Sequence, residues 1–123
     1  MPVMTLFRSP RINQAQYDAI IQAMDLENQP QPGVLTHTCA FDKNGIHVVD
    51  VWESRLALEG FIANRLKPAF AKLGMPFVEP EVILETYEFQ ASEEVDRYKV
   101  GQGPSFGADR ETSKPGGPPL HAG

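Results

Sequence analysis

Two periodicities alternate along residues 1 to about 90, and the points where one gives way to the other outline six elements. Val3 to Arg8 is a short β-rich run closed by Pro10. Asn13 then offers a helix N-cap with Gln16 three residues on, and Tyr17, Ile20, Ile21 and Met24 follow at helical spacing. The stretch Asn28 to Gly33, with Pro30 and Pro32, ends that helix. Val34 to Phe41 reads as a second strand and Ile46 to Glu53 as a third. Between them Asp42-Lys-Asn-Gly45 forms a hairpin turn whose Asn44 and Gly45 accept positive φ. Ser54 caps a long helix striped by Leu58, Phe61, Ile62, Leu66, Ala69, Phe70 and Leu73, which Gly74 and Pro76 stop. Pro68 inside the stripe predicts a kink or a split. Val82 to Phe89 is the last strand.

The order strand, helix, strand, strand, helix, strand predicts an α+β, ferredoxin-like βαββαβ domain with a four-stranded antiparallel sheet. Its faces carry a second expectation. On the third strand Ile46, Val48 and Trp52 share a face with Asp50, while Val49 and Val51 share the other with His47 and Glu53. Met4 and Leu6 oppose Val3 and Phe7 on the first strand; Val82 and Leu84 oppose Ile83, Tyr87 and Phe89 on the last. A sheet apolar on both faces needs two covers, and two helices supply one. A second copy of the sheet, related by two-fold symmetry, is the simplest other cover, so the chain is expected to be a homodimer joined through its sheet faces.

Composition narrows the class. The chain has 123 residues, 41% of them hydrophobic, enough for one domain with a core. After Ala91 it becomes polar and then rich in glycine and proline, so residues 91–123 are expected to be a flexible tail in which Tyr98, Val100 and Phe106 are the side chains able to dock. A net charge of -5 and a pI near 5.1 argue against nucleic acid or an anionic membrane as the main partner. No segment approaches the ~18 consecutive apolar residues of a membrane span. The N-terminus lacks the pattern of a signal peptide, so a cytoplasmic protein is expected. The single cysteine, Cys39, is expected to be an inert buried thiol.

The stretch Gly33 to Ser54 holds two of the three histidines, the only cysteine and the only tryptophan. His37, mid-strand on the face of Leu35, Cys39 and Phe41, is either a general base for a phenolic or enolic substrate or a neutral core histidine bonded to a neighbour. Trp52 is either an aromatic wall for a flat ligand, with an indole N–H to donate, or core packing. Asp50 on an apolar face needs a partner; a histidine on an adjacent strand, or Arg65 of the following helix, would serve. Arg65 and Lys67 either meet an anionic substrate or stay solvated. His47 lies near the turn with its nearest strand carboxylate facing away, which argues against a metal site.

The βαββαβ order, the hairpin ending in Asp50-Val-Trp-Glu-Ser54 and the helix containing Phe61-Ile-Ala-Asn-Arg-Leu-Lys-Pro68 resemble the dimeric α+β barrel superfamily, and within it the antibiotic biosynthesis monooxygenase family. The resemblance covers roughly residues 1–90. It implies a pocket between the sheet and the covering helices, and oxidation of a small aromatic or quinol-like substrate with no cofactor and no metal. Trp52 looks like the strand tryptophan that lines this pocket in several members; Phe61 and Phe70 would join it and Asp50, Arg65 and His37 would supply its polar groups. Polyketide-oxidising members place an asparagine where this chain has Val48 and a tyrosine where it has Leu58. Haem-degrading members place a histidine where it has Ile62, which argues against haem chemistry. The competing expectation is a non-catalytic dimer that shields a small hydrophobic or aromatic molecule.

Overall fold

The computed structural model describes residues 1–99; of the tail expected over 91–123, the part from 100 on, with Val100 and Phe106, lies outside them. Strands β1 (Val3–Ser9), β2 (Val34–Asp42), β3 (Gly45–Trp52) and β4 (Val82–Glu85) form one antiparallel sheet in the order β2-β3-β1-β4. Helix α1 (Gln14–Met24) joins β1 to β2; α2 (Arg55–Phe61), a π-helical segment (Ile62–Leu66) and α3 (Lys67–Lys72) join β3 to β4. This is the ferredoxin-like α+β arrangement, with the helices on one face of the sheet.

Local chemistry sets the boundaries. Asn13 caps α1 reciprocally: its Oδ1 accepts from Gln16 N–H at 2.8 Å and Gln16 Oε1 accepts from Asn13 N–H at 2.9 Å. The helix ends sooner than expected because Asp25 turns left-handed (φ 53°) and its carboxylate accepts from the Asn28 and Gln29 side chains. In the β2–β3 hairpin Asp42 pairs with Gly45, and only Gly45, not Asn44, takes positive φ (103°). A β-carbon there would lie 2.0 Å from the Ser9 carbonyl oxygen, so glycine is needed both for its dihedral and for the approach of β1.

Two expectations are corrected, and a third, the break at Pro68, takes a particular form. β2 contains a bulge between Val34 and Thr36, so Val34 takes the buried place opposite Trp52 while Leu35 is 37% exposed rather than sharing the face of His37. Pro68 divides the second helical stretch, as expected, through a π-helical segment between α2 and α3. Its missing N–H and its ring disfavour an α-turn to Asn64, and the chain widens instead into π-turns, with Lys67 N–H reaching the Ile62 carbonyl while the dihedrals stay right-handed. β4 stops at Glu85, so Tyr87 (102% exposed) and Phe89 are outside the sheet. Beyond them, Glu93–Tyr98 forms an exposed 3₁₀ turn capped by Ser92.

The core lies between sheet and helices. Val3, Phe7, Val48 and Trp52 meet Ile20, Met24, Leu58 and Phe70 there. The opposite face of the sheet presents Met4, Leu6, Val49, Val51, Val82 and Leu84, paired Leu6 to Val49 and Val82, Met4 to Val51 and Leu84. Val49 and Leu84 are exposed. Both faces are therefore apolar, as the alternation predicts. Among the described residues no helix is long and apolar enough to cross a membrane.

Candidate functional site

Antiparallel pairing of the hairpin sets His37 opposite Asp50, and both side chains rise from the helix-covered face. His37 Nδ1 lies 2.6 Å from Asp50 Oδ1, and the two side chains are 12% and 6% exposed. From α1, Tyr17 brings its hydroxyl to 2.8 Å from His37 Nε2, with the two rings nearly parallel at 8°. The chain Tyr17–His37–Asp50 has one consistent proton assignment when the imidazole is neutral. A carboxylate only accepts, so Nδ1–H donates to it; Nε2 then accepts, and the Tyr17 O–H donates to Nε2. Burial, followed by the nearby Cys39 and Asp50, pushes the Tyr17 hydroxyl well above the ordinary tyrosine range, so it remains a neutral phenol. Burial also pushes the Cys39 thiol up, against a smaller lowering contribution from Tyr17, which suits an inert thiol.

These three residues border a cavity of about 70 Å³ between the sheet and the helices. Its floor is Phe7, Ile46 and Val48 of the sheet; Ile20, Ile21 and Met24 of α1 form one wall; Phe61, Leu66 and Phe70 form the other. The spacing of that last set is a product of the π segment, which sets Leu66 rather than Arg65 on the face that Phe61 and Phe70 share. Every other side chain around the cavity is apolar, so Tyr17, His37 and Asp50 hold all its nitrogen and oxygen side-chain atoms. The volume is about half that of an engineered apolar cavity of ~150 Å³ that takes up benzene. A fused-ring compound does not fit; one ring fits if a wall side chain yields.

The sequence-derived candidates separate into two groups. His37, Asp50, Phe61 and Phe70 meet at the cavity. Trp52 does not: its ring is wholly buried, tilted against Phe61 at 5.0 Å between centroids, and its Nε1 has no hydrogen-bond partner. It is core beneath the site rather than a wall a ligand could touch. Arg65 is also elsewhere. Its guanidinium donates to the Met24 carbonyl and to Gln31 Oε1, clamping the π segment onto the C-terminal end of α1, where free carbonyls favour a cation. Lys67 stands 5.4 Å over the Phe77 ring. Tyr17 was hidden in the sequence as one member of an apolar helical stripe; the signal that could have found it is that a buried tyrosine hydroxyl seeks a partner. Among the described residues no cluster of histidine, cysteine and carboxylate side chains could hold a metal ion.

No protein-family model and no curated protein matches the chain. Among the solved structures similar to it are three. One is a Chloroflexus aurantiacus protein provisionally described as an antibiotic biosynthesis monooxygenase, with 21% identity, 74% of this chain and 94% of that one covered and a TM-score of 0.45. The second is Rv0793 of Mycobacterium tuberculosis, with 16% identity, 73% and 97% coverage and a TM-score of 0.48. The third is a Nitrosomonas europaea protein of unknown function, NE2512, with 15% identity, 74% and 94% coverage and a TM-score of 0.46.

Proposed function

We propose that this chain is an acid–base enzyme of the antibiotic biosynthesis monooxygenase type, which oxidises a small aromatic or quinol-like compound without a cofactor. The observation that carries the reading is the His37–Asp50 pair, 2.6 Å apart and nearly buried, at the edge of a cavity otherwise lined by apolar side chains. An imidazole oriented by a carboxylate is a general base, and an apolar wall keeps water from competing for the proton. Removing a proton from an electron-rich ring or its activated methylene leaves an anion that itself reduces oxygen. One oxygen atom then stays on carbon and the other leaves as water. The protein's part is to bind, orient, exclude water and accept the proton. The test is oxygen consumption by the purified chain with single-ring quinols. Uptake that needs no added metal or flavin and stops when the substrate's acidic hydrogen is replaced by methyl is the expected result. Substrate conversion at the same rate without oxygen would point to an isomerase or lyase and contradict the reading.

A second reading rests on the cavity volume and on Val48 and Leu58, which stand where polyketide-oxidising proteins of this type carry asparagine and tyrosine. A non-catalytic binder would need only the hollow. A compound that co-purifies with the chain and survives aerobic incubation unchanged would favour it.

In either reading the working unit is a homodimer joined through the open sheet face. The support is the apolar centre of that face and its rim. Arg8, bonded to Glu81 at 2.9 and 3.0 Å, and His47, 3.1 Å from Asp42, put polar groups of both signs around that centre, the polar rim expected of an interface. Sedimentation is expected to give a dimer that Val49→Lys converts to monomer; a wild-type monomer at micromolar concentration would remove the proposal.

A further inference from the structure

His37 has no polar atom left for a ligand. Its Nδ1 faces Asp50 at 2.6 Å and its Nε2 faces the Tyr17 hydroxyl at 2.8 Å. A base with both nitrogens engaged acts through one of its neighbours. Tyr17 is the neighbour suited to this, because a phenol oxygen has one hydrogen and two lone pairs. Its hydrogen is committed to Nε2; the Cys39 thiol beside it engages at most one lone pair, which leaves the other to accept. We propose that Tyr17 is the residue that touches the substrate, and that the site takes single-ring phenols or enols whose hydroxyl proton passes to the Tyr17 oxygen as the Tyr17 proton passes to His37. The proposal rests on reading the cavity as an acid–base site.

The ligand O–H bond breaks and a new O–H bond forms on Tyr17; the former Tyr17 O–H bond breaks and an N–H bond forms at His37 Nε2. The ligand becomes an anion, His37 becomes an imidazolium held by Asp50, and Tyr17 is again a phenol. The cluster carries the same net charge before and after, and the cation that forms on His37 lies between Asp50 and the new anion rather than standing unpaired in a desolvated site. Direct ionisation of Tyr17 would leave a second anion beside Asp50; burial disfavours it first, and the nearby Cys39 and Asp50 add to that. The lining adds selectivity. Apart from Tyr17, His37 and Asp50 it is hydrocarbon and thioether, so an ether or a methyl in place of the ligand hydroxyl has no donor to offer.

The experiment titrates the full chain with 4-nitrophenol and with its methyl ether, 4-nitroanisole, following the visible band of the nitrophenolate. Wild type is expected to bind the phenol at least ten-fold more tightly than the ether, and to hold more of it ionised than free solution does at the same pH. Tyr17→Phe, verified as folded by circular dichroism, is expected to lose both effects. His37→Gln leaves the tyrosine in place and is expected to keep a preference for the phenol while losing the ionised band. Equal affinity for phenol and ether, binding of neither, or an undiminished band in Tyr17→Phe would each overturn the relay; the last would assign the hydroxyl to Asp50 instead. Wild type that shows the full pattern yet consumes no oxygen would remove the oxygenase reading and leave the relay standing. Oxygen consumption without discrimination between phenol and ether would do the reverse.

Discussion

The Asp50→Asn variant is expected to fold and to lose about 10²–10⁴-fold in turnover of the quinol substrate. The substitution is nearly isosteric, so the packing under α1 survives. What changes is the hold on the imidazole. A carboxylate fixes the proton on Nδ1 and stabilises the positive ring that forms when the base is used; an amide can donate as well as accept, and supplies no charge. With the other tautomer the proton sits on Nε2 and faces Tyr17, so the relay runs the wrong way. The loss is expected chiefly in kcat, because the carboxylate matters most once His37 is protonated. Rate measurements of wild type and variant under the same conditions check this. A variant within a factor of three of wild type would mean that the 2.6 Å pair only holds two strands together.

Trp52→Ala is expected to remove about 3–5 kcal/mol of stability, the range for emptying a fully buried aromatic site. That is a large share of the ~5–15 kcal/mol typical of a domain, so the midpoint of thermal unfolding should fall by more than ~10 °C. The physical cause is local. The indole is 0% exposed, pairs across the sheet with Val3 and Val34, and supports Phe61, which lines the cavity. Trp52→Phe is the informative contrast. It keeps a ring against Phe61 and removes an indole N–H that has no hydrogen-bond partner, a group that costs about 1–3 kcal/mol when buried unsatisfied. It should therefore cost much less than alanine and leave the site's chemistry in place. A Trp52→Phe variant as impaired in turnover as Asp50→Asn, with stability intact, would return the indole to the binding site. Thermal and denaturant unfolding of both variants supply the numbers.

The fold was legible because its signals are local. The Asn13–Gln16 box, the Asp42–Gly45 turn and the Ser54 cap each act within a few residues, and period-two alternation on β3 needs no partner to be read. The His37–Asp50 pair was legible for the same reason: equal steps outward from a two-residue turn set these residues opposite each other. Tyr17 was not, because its place depends on how α1 lies across the sheet. Trp52 was misplaced because residue type alone does not distinguish a pocket wall from the layer beneath it. The bulge at Leu35 and the π segment before Pro68 each insert an extra step into a regular repeat, and the sequence shows the repeat more plainly than the interruption. Arg65 illustrates the consequence: the widened turn sends it to the end of α1 and sets Leu66 at the cavity.

Nitrogen-15 NMR of His37 tests the acid–base site most directly, with no substrate needed. For the neutral form of the ring the expected result is a proton on Nδ1, shifted far downfield by the bond to Asp50, and an unprotonated Nε2 whose shift moves when Tyr17 is replaced by phenylalanine. A neutral ring protonated at Nε2, or an Nε2 signal indifferent to the loss of the tyrosine hydroxyl, would contradict it.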